Sequence, residues 1–197
     1  LFSIMKKNYI IFFIFFTILF FECKKETLNT IAPNLYTYKS DFAISAATKK
    51  APDIAGIDWI GNIYIRQNKN TKDLLFILST VSDTIWKYNR EEINTNNIPM
   101  KTGVYLPTSK NKNLAANEIW MTYYISAADG DAYDGHYVID ENYKSELQII
   151  AIDTITQQIK GTYDLYFVLA GQSPSGLIHP PKVSFLNGKF DTKYMIK

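Results

Sequence analysis

The sequence predicts an all-β domain, an antiparallel β-sandwich or a partly open β-barrel of roughly eight to ten strands. From Asp41 onward, segment after segment alternates with period two, and none sustains the 3.6 period of a helix. After residue 23 the chain holds 21 Ile, 13 Tyr and 15 Thr, residue types that suit a pleated, half-buried surface. Short polar turns separate the runs, which leaves no room for the helical crossovers of a doubly wound α/β enzyme. A sheet of this kind must bury its apolar face against a second sheet or against itself.

The elements follow in order. Ile57, Trp59, Gly61, Ile63 and Ile65 share one face of a first strand, and Gln67 to Asp73 forms a turn. Leu74 to Thr80 is a nearly continuous apolar run, a strand buried on both sides or a short core helix, with the following Ser-Thr favouring the strand. Asp83 to Tyr88 is a third short run, and the Asn/Glu-rich Asn89 to Asn97 reads as a loop. Gly103 to Leu106 is a strand ending at Pro107, and Thr108 to Asn117 is a polar loop. In Ile119 to Ser126 both faces carry aromatics, so that strand is packed on both sides or lines something. Asp129-Gly130-Asp131 turns the chain into a strand with Tyr133, Gly135, Tyr137 and Ile139 inward. Glu146 to Ile152 leads through a turn to the clearest alternation, Ile159, Gly161, Tyr163, Leu165, Phe167 and Leu169. Gly171 to Pro181 is a long loop, and Asn187-Gly188 signals a closing hairpin.

The first residues are of another kind. Met5-Lys6-Lys7-Asn8 and the apolar run Tyr9 to Phe21 form a basic n-region and an h-region. As a helix that run reaches only about 20 Å, short of the roughly 30 Å hydrocarbon core. Leu19-Phe20-Phe21-Glu22-Cys23 resembles a bacterial lipoprotein signal, departing from it in having Glu22 in place of a small residue before the cysteine and Phe20 in place of the usual Leu three before it. The resemblance implies cleavage before Cys23 and a lipid on its sulfur. Cys23 is the only cysteine, so it has no intramolecular disulfide partner. A soluble exported protein cut elsewhere and an uncleaved signal anchor are the alternatives. The expected organisation is a signal peptide over 1–22, a polar tether over 23–40 and one β domain over 41–197.

Composition narrows the function. Hydrophobic residues at 47%, charged residues at 20%, 9 Gly and 7 Pro exclude collagen and simple disorder. Without Lys6, Lys7 and Glu22, the 21 basic and 19 acidic residues become 19 and 18. Such scattered, balanced charge is no footprint for nucleic acid.

Gln158-Ile-Lys-Gly-Thr-Tyr-Asp-Leu-Tyr-Phe167 with Val183-Ser-Phe-Leu-Asn-Gly-Lys-Phe-Asp-Thr-Lys-Tyr194 resembles the closing strands of small lipoproteins of unknown function from Bacteroides/Flavobacterium-type bacteria. The likeness covers about residues 103–194. It implies an exported all-β domain with no known enzymatic activity.

Chemistry is sparse. His136 lies beside Asp134 and Asp140 on an outward face and reads as a solvated surface histidine, and His179 precedes Pro180-Pro181 in a loop. No Gly-x-Ser-x-Gly elbow is present, and neither histidine has the partners of a zinc site. Asp129, Asp131 and Asp134 read as solvated turn carboxylates, with calcium as the sharper alternative, although the spacing fails the EF-hand pattern. Glu91, Glu92 and Glu118 have no spacing that pairs two acids across a glycosidic bond. No catalytic residue, metal ligand or cofactor is expected. Trp120 and Tyr124 are candidate ligand contacts, since ring faces stack on apolar patches of a glycan or peptide.

The expected role is that of a noncatalytic outer-membrane lipoprotein of the cell envelope, a binding or accessory module tethered through Cys23 to the membrane and meeting a glycan, peptide or envelope protein. A small-ligand carrier of barrel type is the alternative, and an envelope hydrolase is third.

Overall fold

The computed structural model describes residues 44–52, 54–81, 89–127, 132–173 and 178–196. They form eleven strands: β1 Ile44–Ala51, β2 Ile54–Gln67, β3 Leu74–Val81, β4 Asn89–Ile98, β5 Gly103–Thr108, β6 Glu118–Ser126, β7 Tyr133–Ile139, β8 Glu146–Asp153, β9 Gln158–Gln172, β10 Lys182–Lys193 and β11 Met195–Ile196. Neighbours follow the order β1-β10-β9-β8-β5-β6-β4-β3-β2, and β1 also pairs with β2, so the sheet closes on itself. The domain is a closed β-barrel of nine strands with β7 and β11 added.

The ring is not uniform along its axis. β9 pairs with β8 through residues 158–164 and with β7 through 167–172, while β6 pairs with β5 through 118–120 and with β7 through 122–126. At one end, therefore, eight antiparallel strands close the ring through β7. At the other, β5 is inserted between β6 and β8 and the ring has nine. β7 and β8 run the same way along β9 and are one interrupted strand, with Asp140–Ser145 as the excursion between the halves. That excursion is pinned: Asp140 N–H donates to Tyr166 O at 2.9 Å, Tyr166 N–H to Ser145 Oγ at 3.0 Å, and Lys182 Nζ to Asp140 Oδ2 at 2.7 Å. The Lys182 hydrogen bond holds the Asp140 carboxyl below the usual carboxylate range despite partial desolvation.

Alternation fixes what faces the axis. Trp59, Gly61, Ile63 and Ile65 of β2, Leu74, Phe76 and Leu78 of β3, and Ile159, Gly161, Tyr163, Leu165 and Phe167 of β9 are buried. Inside, rings meet edge to face or tilted: Trp59 with Phe185 at 71°, Phe76 with Phe190 at 65°, Tyr123 with Phe185 at 73°. This is the geometry favoured by ring quadrupoles. Two inward glycines make room for them. Gly161 lies opposite Phe190 and Gly188 opposite Tyr163 in the β9–β10 ladder, each glycine under the ring of its partner.

Four expectations are corrected. Asn89–Ile98 is a strand rather than a loop: pairing with β3 and β6 on both sides overrides the poor strand propensity of its asparagines, and Ile93, Thr95 and Ile98 face inward. Asn187-Gly188 makes no hairpin. β10 runs through it with a bulge in the β9–β10 register, Asn187 adopting φ 56° and its N–H donating to Asp164 Oδ1 at 2.6 Å. β5 continues past Leu106 to Thr108, because the missing N–H of Pro107 falls where the strand has already left β8. Tyr133 is exposed rather than inward, turned out by the irregularity between Ile125 and Ser126. The run Asp83 to Tyr88, the turn Asp129 to Asp131, and everything before residue 44, Cys23 included, lie outside the described residues.

Candidate functional site

The chemistry collects at the eight-stranded end, where β1 and β9 finish and β4 and β10 begin. β1 contributes Ser45, Ala47 and Lys49 to the interior, an inward face of small and polar side chains. Lys49 reaches across the axis to Glu91 of β4 in a direct ion pair and donates to Tyr123 Oη of β6 at 3.0 Å. Trp59 Nε1 of β2 donates to Glu91 Oε2 at 2.5 Å, and Tyr123 Oη donates to Glu91 Oε1 at 3.1 Å. The Lys49 ammonium also lies 5.5 Å from the Tyr123 ring centroid and 5.8 Å from that of Phe185.

Four strands thus bring one cation, one anion and two neutral donors into a barrel interior otherwise walled by aromatics. Burial pushes the Glu91 carboxyl up, but the Lys49 charge and the hydrogen bonds from Lys49, Trp59 and Tyr123 overcome it and hold the group below the usual carboxylate range. Desolvation, with Glu91 nearby, drives the Tyr123 and Tyr137 hydroxyls upward, so both remain protonated donors. The Lys49 side chain is 8% exposed and that of Glu91 18%, so the pair is largely withdrawn from solvent.

A second pair stands beside it. His179 Nε2 meets Asp134 Oδ2 at 3.0 Å, with side chains 9% and 2% exposed. Gly135 leaves the space for this: an added Cβ there would stand 3.4 Å from the His179 ring and 3.3 Å from Tyr137. Tyr137 links the two pairs, its ring 5.0 Å from that of Tyr123 and its hydroxyl donating to Pro180 O at 3.0 Å.

Asp134 is therefore not a solvated turn carboxylate, and it is committed to His179. Asp129 and Asp131, its expected companions for calcium, lie outside the described residues, among which no three His, Cys, Asp or Glu side chains gather. His136 is not a freely solvated histidine either: it is half-buried and stacked on Tyr124 at 4.8 Å and 13°. Asp140, placed with it on an outward solvated face, is buried and paired with Lys182. His179 does precede β10 in a loop, but that loop packs against the barrel end. An imidazole oriented by a carboxylate is two parts of a hydrolytic relay. The Tyr137 hydroxyl beside it is occupied by Pro180, and Glu91 is held ionised, unsuited to acid catalysis near neutral pH.

Trp120 and Tyr124 lie half-buried on the outward face of β6. A concavity at the opposite end, near the β2–β3 turn, is lined mainly by polar side chains, Arg66, Asn68, Asp73, Asn96 and Asn97, with Leu74 and Leu75. The buried charge is at the other end, and the site is assigned by charge rather than by surface shape. No family model, curated protein or solved structure matches the chain.

Proposed function

We propose that this chain is a noncatalytic carrier of barrel type that holds a small amphipathic ligand at the eight-stranded end. The observation that supports it is the Lys49–Glu91–Trp59–Tyr123 set, a charged and hydrogen-bonding group set among aromatic walls near the barrel end. Small-ligand sites combine apolar walls with a few placed polar groups and occur in the mouths of barrels. A buried ion pair is poor stabilisation compared with apolar packing, which makes a recognition role the better account of its presence. The ligand's polar end would meet Glu91. Native mass spectrometry of the protein purified from membranes without denaturation tests this. A noncovalent small-molecule adduct, lost in Lys49→Met/Glu91→Gln, is the expected result; an adduct-free spectrum, with no rise in melting temperature on adding envelope extract, counts against it.

The carrier is proposed to sit at the outer membrane through a lipid on Cys23, as the position of that cysteine after the apolar run and the resemblance to Bacteroides/Flavobacterium-type lipoproteins suggest. Cys23→Ser should abolish lipid labelling and move the protein to the soluble envelope fraction. A membrane form whose intact mass lacks acyl chains would sink the anchor.

A further inference from the structure

Rings inside the barrel meet edge to face or tilted, whereas rings on its outer surface lie flat on one another. Tyr124 of β6 is stacked between Tyr133, at 4.3 Å and 28°, and His136 of β7, at 4.8 Å and 13°. Tyr133 is 56% exposed, so the stack presents an open ring face to solvent. The bulge that turns Tyr133 outward sits between Ile125 and Ser126, and bulges commonly re-aim side chains beside binding sites.

Four residues along the same face of β6 is Trp120, a second ring about 13 Å away by strand rise. Between the two lies a polar pair: Asn94 Nδ2 donates to Glu92 Oε1 at 2.8 Å, and Asn94 Oδ1 accepts from the hydroxyl of the fully buried Thr122 at 3.0 Å. Glu92 is the cross-strand neighbour of Tyr124.

We propose that this outward face of β4, β6 and β7 binds a neutral oligosaccharide, with Tyr133 and Trp120 as stacking platforms and with Glu92 and Asn94 meeting sugar hydroxyls. Composition selects the occupant. The pair offers carboxylate and amide groups, which match a hydroxyl-rich ligand, and Glu92 repels an acidic glycan. A peptide adding as a strand is disfavoured because β6 is paired on both sides, with β4 and with β5 or β7, and β7 lies between β6 and β9. This site is separate from the carrier site at Glu91 and does not depend on it.

The experiment titrates the purified full-length protein with cellopentaose, chitopentaose and maltopentaose, followed by calorimetry and intrinsic fluorescence. At least one should bind, and Tyr133→Ala and Trp120→Ala should each weaken it about tenfold or more. Tyr133→Ala should leave the melting temperature unchanged, since that ring is mostly in solvent, and Glu91→Gln should leave sugar binding unchanged. No binding of any of the three at millimolar concentration overturns the proposal. So does binding indifferent to both ring truncations, and so does binding lost in Glu91→Gln but kept in Tyr133→Ala, which would move the sugar to the barrel end. Capture of an extended peptide through Tyr133 and Trp120 in place of sugar also overturns it.

Discussion

Glu91→Ala should destabilise the barrel by about 3 to 5 kcal/mol at neutral pH, because it leaves the Lys49 ammonium buried without its counter-ion. Trp59 Nε1 and Tyr123 Oη would lose an acceptor in the same step. The double variant Lys49→Met/Glu91→Leu should recover most of the loss, since an apolar pair of similar volume restores packing without an ion to desolvate. Urea melts of the three proteins decide the matter, and a single variant indistinguishable from wild type would show that solvent already compensates Lys49. The pH dependence has a definite sign. The folded Glu91 carboxyl lies below its ordinary value, so its contribution is complete above that value and is lost as pH falls through the folded one. Wild type should therefore lose stability on acidification by a step that the double variant lacks.

Gly161→Val should cost about 3 kcal/mol, at the upper end of overpacking effects. An added Cβ would run into the backbone carbonyl of Gln148 and the ring of Phe190, and a strand backbone cannot swing aside as a side-chain tip can. Gly171→Val on the same strand is the control. Nothing lies within 4 Å of its added Cβ, and its effect should stay within about 0.5 kcal/mol. Equal midpoints for the two in urea would place residue 161 outside the packed interior.

The fold was legible wherever one strand face was apolar. β2, β6 and β9 follow from alternation and β3 from its continuous apolar run, and Gly161 is recognisable as a close-approach position because it interrupts an otherwise bulky inward set. β1 is invisible to a reading by alternation because its described inward residues are Ser45, Ala47 and Lys49, whose burial depends on a partner across the barrel. β4 is obscured by its asparagines and glutamates for the same reason: Glu91 is tolerable inside only because Lys49, 42 residues earlier, meets it there. The pairing of His179 with Asp134, 45 residues apart, leaves no local mark either. Read as a strand, Glu91-Glu92-Ile93-Asn94-Thr95 does place Glu91, Ile93 and Thr95 on one face, which was the one available signal for an inward carboxylate. Trp120 and Tyr124 stood out because aromatics on both faces of one strand exceed what a single core can use, and both fall on the outward side.

The ladder between β1 and β10 carries a consequence for how the chain reaches its native state. Ser45 Oγ donates to Lys189 O across 144 residues of sequence, and this pairing joins the two ends of the ring. Contacts of such separation must first overcome the entropy of closing a long loop, so the folding rate is governed by the arrival of β10 rather than by local hairpins such as β2–β3. Until then β1 and β9 each offer a row of unpaired peptide groups to any other chain nearby. The finished ring leaves neither exposed. Protection against edge-to-edge association is thus acquired in the closing event itself, and slow closure, rather than native stability, sets how long the molecule is vulnerable.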